Sequence, residues 1–173
     1  MIWLITGASA AGKTTVSQLL AERFERGVHV KGDVFRRMVV SGRHEMSMSP
    51  SDEAVDQLRL RYKLGAATAD VYATAGFTVV VQDVILGHHL REYVERIRTR
   101  PLHLVVLAPS VETLRAREAA RSKTAYGGGD TPDAMDAVLR EETPRIGLWL
   151  DTSEQTPEQT VDEILRRRDE SLL

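Results

Sequence analysis

The sequence predicts an α/β fold in which helices cover both faces of a parallel β-sheet. Short apolar runs of strand length alternate with segments whose apolar residues recur at helical spacing, and this β-α order occurs five times. The strand candidate 77–81 is β-branched or apolar throughout, which is typical of a strand buried on both faces. The length of 173 residues suits a single domain over 1–173.

Composition excludes several functional classes. The 23 basic and 25 acidic residues give a net charge of -2, so there is no basic field to attract nucleic acid or an anionic membrane. The chain has no cysteine, which excludes a disulfide framework, a thiolate nucleophile and a thiolate zinc site. Nothing marks the chain for export, and its apolar runs fall far below the roughly 20 residues that span a bilayer. We therefore expect a cytoplasmic protein without nucleic-acid or membrane partners.

The first half of the chain supplies two strands and a long helix. A strand over 2–6 leads into Gly7, and a helix over 13–25 is stopped by Gly27. A short strand over 28–31 is followed by one or two helical turns after Asp33. From Ser51 the apolar spacing predicts a long amphipathic helix that ends at Gly76.

The second half continues the alternation. Ser110 and Thr131-Pro132 carry the signals of helix starts, and 156–159 reads as a capping box. The remaining predicted elements are, in order, a strand over 77–81, a helix over 87–98, a strand over 102–107, a helix after Ser110, a mobile loop over 122–131, a helix from Thr131, a strand over 148–151 and a terminal helix.

The strongest motif lies between the first strand and the first helix. Residues 7–14 match the pattern G-x-x-x-x-G-K-[ST] in full, which is the phosphate-binding P-loop. Glycines let backbone N–H groups curl round a phosphate, and the start of the following helix adds partial positive charge. The alternative is a glycine-rich turn with a solvated lysine. The predicted nucleotide-binding residues are Gly7, Ala8, Ser9, Ala10, Ala11, Gly12, Lys13, Thr14 and Thr15, with Lys13 on the β- and γ-phosphates and Thr14 offering its hydroxyl to Mg²⁺.

A second candidate is Asp33, just past the second strand. The carboxyl ends of parallel strands face the ligand crevice, where a carboxylate can accept a proton from a substrate hydroxyl. Arg36 lies three residues on and therefore on the same side of the starting helix. We predict that Asp33 and Arg36 contact the substrate. An alternative interpretation, which does not exclude the first, makes Asp33 the N-cap of that helix.

A third candidate is Asp83, the carboxylate that ends the apolar strand 79–83. The pattern resembles a Walker B end and predicts a role for Asp83 at the substrate or at Mg²⁺. His88 and His89 follow closely. Adjacent residues point in different directions on a helix and no Asp or Glu lies at ligand spacing beside them, so we favour pocket lining by His88, or plain surface, over a metal site.

Arginines mark the segment 114–121. Arg117 and Arg121 are four residues apart and can share one helical face. Arginines beside a glycine-rich loop suit a lid, approximately 118–132, that folds over a triphosphate and expels water. The alternative is a solvated helix face with glutamate partners.

These motifs together resemble the chloramphenicol phosphotransferase-like family among the adenylate-kinase-like P-loop NTPases. The resemblance covers essentially the whole chain and rests on 7–14, Asp33, 79–87, 114–121 and 150–153. It implies a three-layer fold with strand order 2-3-1-4-5, ATP with Mg²⁺, and phosphate transfer to a substrate hydroxyl. It also implies Asp33 as the base, with Arg117 or Arg121 on ATP. The family often has two consecutive acidic residues where this chain has Gln82-Asp83, which leaves the Mg²⁺ contact open.

The leading functional hypothesis is an ATP-dependent kinase for a small hydroxyl acceptor, similar to antibiotic phosphotransferases. The alternatives are a nucleotide-binding switch and a toxin-like nucleotide-sugar kinase on the same fold. The guanine-reading motif Asn-Lys-x-Asp is absent, which argues against a GTPase. In-line transfer places the acceptor over Asp33, Arg36, Asp83 and the start of the 87–98 helix, with 43–48 forming part of its wall.

Overall fold

A five-stranded, all-parallel sheet forms the centre of the molecule. The computed structural model describes residues 1–47, 49–120 and 131–173. The strand order is β2-β3-β1-β4-β5, which confirms the predicted fold class and the order implied by the family resemblance. The strands are β1 (Ile2–Gly7), β2 (Gly27–Lys31), β3 (Thr78–Gln82), β4 (Leu102–Leu107) and β5 (Leu148–Leu150).

Helices connect the strands, and their ends differ from the predictions by a few residues. The predicted helix 13–25 ends three residues early, and the predicted helix 87–98 is shorter at both ends. The helices are α1 (Lys13–Glu22), α2 (Gly32–Arg37), α3 (Asp52–Thr74), α4 (His89–Arg96), α5 (Val111–Ala119), α6 (Pro132–Ala137) and α7 (Pro157–Arg166). A π-helical turn, Val138–Glu142, continues α6, and a 3₁₀ turn, Arg168–Ser171, follows α7.

Two hydrophobic cores lie on opposite faces of the sheet. Successive side chains of a strand point to opposite faces, so Leu4 of β1 packs into one core and its neighbour Trp3 into the other. The first core includes Tyr62 of α3 and Tyr93 of α4, and the second includes Leu20 of α1. Helices therefore cover both faces, as the pattern of apolar residues predicts.

Side-chain caps fix where several helices begin. The hydroxyl of Ser110 accepts a hydrogen bond from the Thr113 N–H at the start of α5. Thr131 caps α6 with proline following it, and residues 156–159 form the predicted capping box at the start of α7. These caps confirm the predicted starts, because a hydroxyl at the N-cap satisfies a backbone N–H that has no partner in the helix.

The predicted lid and the predicted absence of a membrane span can be compared with only part of the chain. Most of the predicted lid, 121–130 with Arg121, lies outside the described residues, and its ends belong to α5 and α6. Along the described part of the chain, no helix is both long and apolar enough to cross a membrane.

Candidate active site

The P-loop runs from the end of β1 to the start of α1. Gly7 has φ +146°, and a Cβ at this position would lie 2.3 Å from the Leu107 carbonyl oxygen of β4. Gly12, the N-cap of α1, has φ +93°, a left-handed conformation that disfavours any residue with a side chain. Both glycines of the motif therefore meet a steric requirement of the loop backbone itself.

Lys13 is held at the mouth of this loop. Its Nζ atom donates hydrogen bonds to the carbonyl oxygens of Gly7, at 3.0 Å, and Ala8, at 2.7 Å, and the residue is 8% exposed. These contacts fold the side chain back over the loop, where its ammonium group can meet a bound phosphate. The geometry is that expected of a phosphate-binding lysine.

Gln82 is the β3 residue that faces the P-loop. Its Nε2 atom lies 3.4 Å from the Thr14 hydroxyl oxygen, and β3 pairs with β1 so that Gln82 is level with Ile5. Mg²⁺ is commonly bound through phosphates and several waters with few protein ligands. The Thr14 hydroxyl oxygen fits an ion bound in this way, whereas the Gln82 side chain meets Thr14 through its amide nitrogen, which is not a metal ligand.

Asp83 has partners other than the P-loop. It is 2% exposed, and its carboxylate accepts bidentate hydrogen bonds from Arg61 of α3, with Nε 2.6 Å from Oδ2. The Val84 N–H also donates to Oδ1 at 2.7 Å. Because both oxygens are engaged, the contacts favour a positioning role for Asp83 over the predicted Mg²⁺ ligation.

Arg61 is a site residue that the sequence analysis missed. It lies on the long helix α3 beside the buried Tyr62, and its own side chain is only 14% exposed. A buried arginine almost always has an anionic partner, so an arginine at the edge of an apolar helix stripe is the signal that could have identified it.

Asp33 is the second residue of α2, and its N-cap is Lys31. The interpretation of Asp33 as the N-cap is therefore wrong. Its carboxylate accepts hydrogen bonds from Arg36 Nε at 2.8 Å and lies 2.5 Å from Arg37 Nη2. Burial raises the pKa of Asp33, but the hydrogen bond and charge of Arg36, together with the charge of Arg37, outweigh burial and hold the pKa below its ordinary value. Asp33 is thus an ionised acceptor at neutral pH.

A pocket of about 170 Å³ opens beside Arg36, the hydrogen-bond partner of Asp33, between α2, α3 and the segment 44–46. Arg36 lines it, and its Nη1 atom contacts both carboxylate oxygens of Glu45 at 2.6 Å. Arg61 lines the same pocket on the α3 side. The pocket therefore touches the partners of Asp33 and of Asp83, while Asp33, Asp83 and His88 themselves are not among its described lining residues.

Arg117 is the described arginine of α5 that lies against the P-loop. Its guanidinium donates to the Ala11 carbonyl at 3.3 Å and to the Thr152 carbonyl at 2.8 Å. Arg115 instead pairs with Asp133 of α6 through both carboxylate oxygens. Arg117 is thus placed to approach a bound nucleotide, and Arg115 ties α5 to α6.

The chain matches a known protein family over most of its length. A family whose description is "AAA domain" matches residues 2–148, which include the P-loop and all strands but the last residues of β5. The chain belongs to this family of P-loop NTPases. None of the curated protein sequences matches the chain.

Solved structures share the fold of this P-loop NTPase at low sequence identity. A sugar kinase from Janibacter sp. HTCC2649 has a TM-score of 0.70 at 20% identity, covering 98% of this chain and 95% of that one. The tunicamycin resistance protein of Deinococcus radiodurans has 0.67 at 17%, covering 99% and 96%. Shikimate kinase from Aquifex aeolicus has 0.66 at 16%, covering 98% and 96%. At these identities the likeness establishes the fold, which small-molecule kinases share.

The histidine pair of this P-loop NTPase lies at the start of α4. Glu92, one helical turn on, lies 3.8 Å from His88 Nε2 and 3.6 Å from His89 Nδ1. The prediction that no Asp or Glu lies at ligand spacing beside the two histidines is therefore wrong, because one turn of helix brings Glu92 close to both. Burial lowers the pKa of His89, which favours the neutral imidazole that binds metals. The three side chains could hold a metal ion, although His88 itself is largely exposed.

The buried Arg61–Asp83 pair leads to a stability prediction for this P-loop NTPase. Arg61→Lys keeps the positive charge but loses the bidentate geometry, so one oxygen of Asp83 is left poorly paired. We expect the free energy of unfolding to fall by about 1–3 kcal/mol in urea denaturation. The control is Arg59→Lys on the same helix, whose pair with Asp56 is exposed and loose at 3.6 Å; an equal loss in both variants would contradict the prediction.

Proposed function

We propose that this P-loop NTPase is an ATP-dependent kinase that transfers the γ-phosphate to a hydroxyl of a small acceptor. One observation carries the proposal: a continuous chain of contacts joins the P-loop to the pocket. Thr14 meets Gln82, the next residue Asp83 pairs with Arg61, and Arg61 lines the pocket. These contacts support a phosphate site and a site for a second molecule at the same edge of the sheet.

The nucleotide side of the site brings several positively charged or hydrogen-bond-donating groups to the phosphates. The backbone N–H groups of the P-loop and the Lys13 ammonium hold the phosphates. Arg117, beside Ala11, adds positive charge near the same loop. The Thr14 hydroxyl would hold Mg²⁺ beside Gln82, and the ion would there offset negative charge on the phosphates.

The acceptor side uses Asp33. The acceptor hydroxyl donates a hydrogen bond to the Asp33 carboxylate, and its oxygen attacks the γ-phosphorus in line with the departing ADP. The new O–P bond forms as the bond to the β-phosphate oxygen breaks, and the hydroxyl proton passes to Asp33. Because the pKa of Asp33 is low, the carboxylate mainly orients the hydroxyl and accepts its proton late, when bond formation has made that proton acidic.

The pocket beside Arg36 favours a kinase over a nucleotide-binding switch. A switch needs a nucleotide site and moving segments, whereas a transfer enzyme also needs a concave site for the second substrate. The shared fold with a sugar kinase and a shikimate kinase supports the same choice. The likeness to a tunicamycin resistance protein keeps an antibiotic among the acceptors we propose.

Acceptor-stimulated release of ADP is the experiment that tests this function. Purified protein is incubated with Mg²⁺ and ATP and a panel of hydroxyl compounds, and phosphorylated products are identified by mass spectrometry. We expect at least one compound to raise ADP release and to gain one phosphate. Binding of ATP with no acceptor-dependent release across the panel would favour the switch.

A further inference from the structure

The wall of the pocket is predominantly apolar. Its described apolar lining includes Phe35 of α2, Met38 at the C-terminal end of α2, and Leu58, Leu60 and Leu64 of α3. Three of these are unusually accessible for large apolar side chains, at 65% for Met38, 48% for Leu60 and 39% for Leu64. Exposed apolar side chains that converge on a concave surface indicate a ligand with an apolar body.

The charges at the pocket are already paired. Among the described lining residues, the guanidinium groups are those of Arg36 and Arg61. Glu45 contacts Arg36 through both oxygens, and Asp83 is bidentate to Arg61. An acceptor carboxylate or sulfate would have to compete with these carboxylates for the guanidinium groups and would lie against the negative charge of Glu45, which is also held by Arg43 at 3.0 Å.

The amide that lines the pocket is also engaged. Gln57 accepts a hydrogen bond from the His44 N–H at 2.9 Å and donates one to the Gly42 carbonyl at 2.7 Å. These bonds hold the 42–44 segment against α3. The hydroxyls of a polyol would lose their hydration here and gain few partners in return, which is unfavourable.

We propose, on the basis of the kinase function above, that the acceptor is an uncharged alcohol with an apolar body. The hydroxyl lies at the Arg36 end, from which it reaches Asp33, the partner of Arg36, and the body packs against the leucines of α3. Leu60 and Leu64 then determine specificity, and the negative charge of Glu45 beside Arg36 disfavours acids. About 170 Å³ accommodates a body of roughly one ring.

Three probes with the same six-membered ring test this acceptor class. They are cyclohexylmethanol, its 4-carboxylate derivative and myo-inositol, which are respectively neutral and apolar, anionic, and polyhydroxylated. Their binding is measured by NMR titration on the full chain with a non-hydrolysable ATP analogue present. We expect cyclohexylmethanol to bind at least about tenfold more tightly than either of the others, because it alone buries apolar surface without unpaired polar groups. Equal or tighter binding of the carboxylate or of inositol, or no binding of the neutral alcohol, overturns the proposal.

Two variants test which residues set the preference. Leu60→Gln should weaken binding of cyclohexylmethanol about three- to tenfold. Its control is Val71→Gln on the same helix, which replaces an aliphatic side chain that is 69% exposed and should leave the binding unchanged. Glu45→Gln removes one carboxylate from Arg36 and should shift the preference toward the carboxylate probe by about tenfold. Equal losses in the Leu60 and Val71 variants, or no shift in the Glu45 variant, would contradict the assigned roles.

Binding and turnover separate this proposal from the kinase function. The probes are compared by binding alone, so the acceptor class is tested whether or not phosphate is transferred. Preference for the neutral alcohol without its phosphorylation by ATP would count against the kinase function and leave the acceptor class supported. Phosphorylation of inositol or of the carboxylate in preference to the alcohol would support the kinase function and overturn the acceptor class.

Discussion

Lys13→Ala is expected to abolish ATP turnover and to weaken ATP binding below detection by calorimetry. Lys13 is the one lysine in the loop 7–14, and its Nζ atom already lies over the carbonyls of Gly7 and Ala8. Alanine leaves the phosphate charge to the backbone N–H groups and Arg117. The measurement is ADP release with Mg²⁺ and ATP in the presence of a working acceptor.

A matched control separates loss of the phosphate contact from loss of a surface charge. Lys63→Ala removes an exposed lysine from α3 and should leave both ATP binding and ADP release at wild-type values. Circular dichroism of the two variants checks that the fold is kept. Near-normal turnover in Lys13→Ala would refute the assignment of the P-loop.

The parts of the site that the sequence predicts are those encoded locally. The whole P-loop motif lies within residues 7–14. Its glycines, Gly7 and Gly12, stand where a side chain would clash or would be strained by a positive φ. The strands 77–81 and 102–107 are recognisable because burial on both faces requires continuous apolar residues. Cap residues such as Ser110 act on a backbone N–H three residues away, so they too can be identified from sequence.

The parts that the sequence does not predict depend on tertiary contacts. The Arg61–Asp83 pair joins α3 to the end of β3, and the Arg36–Glu45 pair joins α2 to the following loop. No local sequence pattern indicates either partner, because the two side chains of each pair are brought together only by the tertiary fold. The same holds for Gln82, whose position beside Thr14 follows from the pairing of β3 with β1. The nucleotide site was therefore predictable in more detail than the pocket beside it.

Asp33→Asn is expected to leave ATP affinity within a few-fold of wild type and to lower phosphate transfer by roughly 10²–10⁴. Asparagine keeps the size of the side chain and can still accept a hydrogen bond from Arg36, but it cannot take the acceptor proton. Its control is Asp56→Asn on α3, a carboxylate 77% exposed in a loose pair with Arg59, which should transfer at the wild-type rate.

The pH profile of transfer distinguishes a base from a structural carboxylate. The pKa of Asp33 lies below its ordinary value, since the hydrogen bond and charge of Arg36 outweigh the opposing effect of burial. The ionised form therefore persists as pH falls, and the acid limb of kcat/KM due to Asp33 should lie below the ordinary aspartate pKa of about 3.9. In Asp33→Asn this limb should vanish together with most of the rate. A variant that keeps the full rate would make Asp33 a group that only positions Arg36, and the proton would then leave the acceptor by another route, such as water.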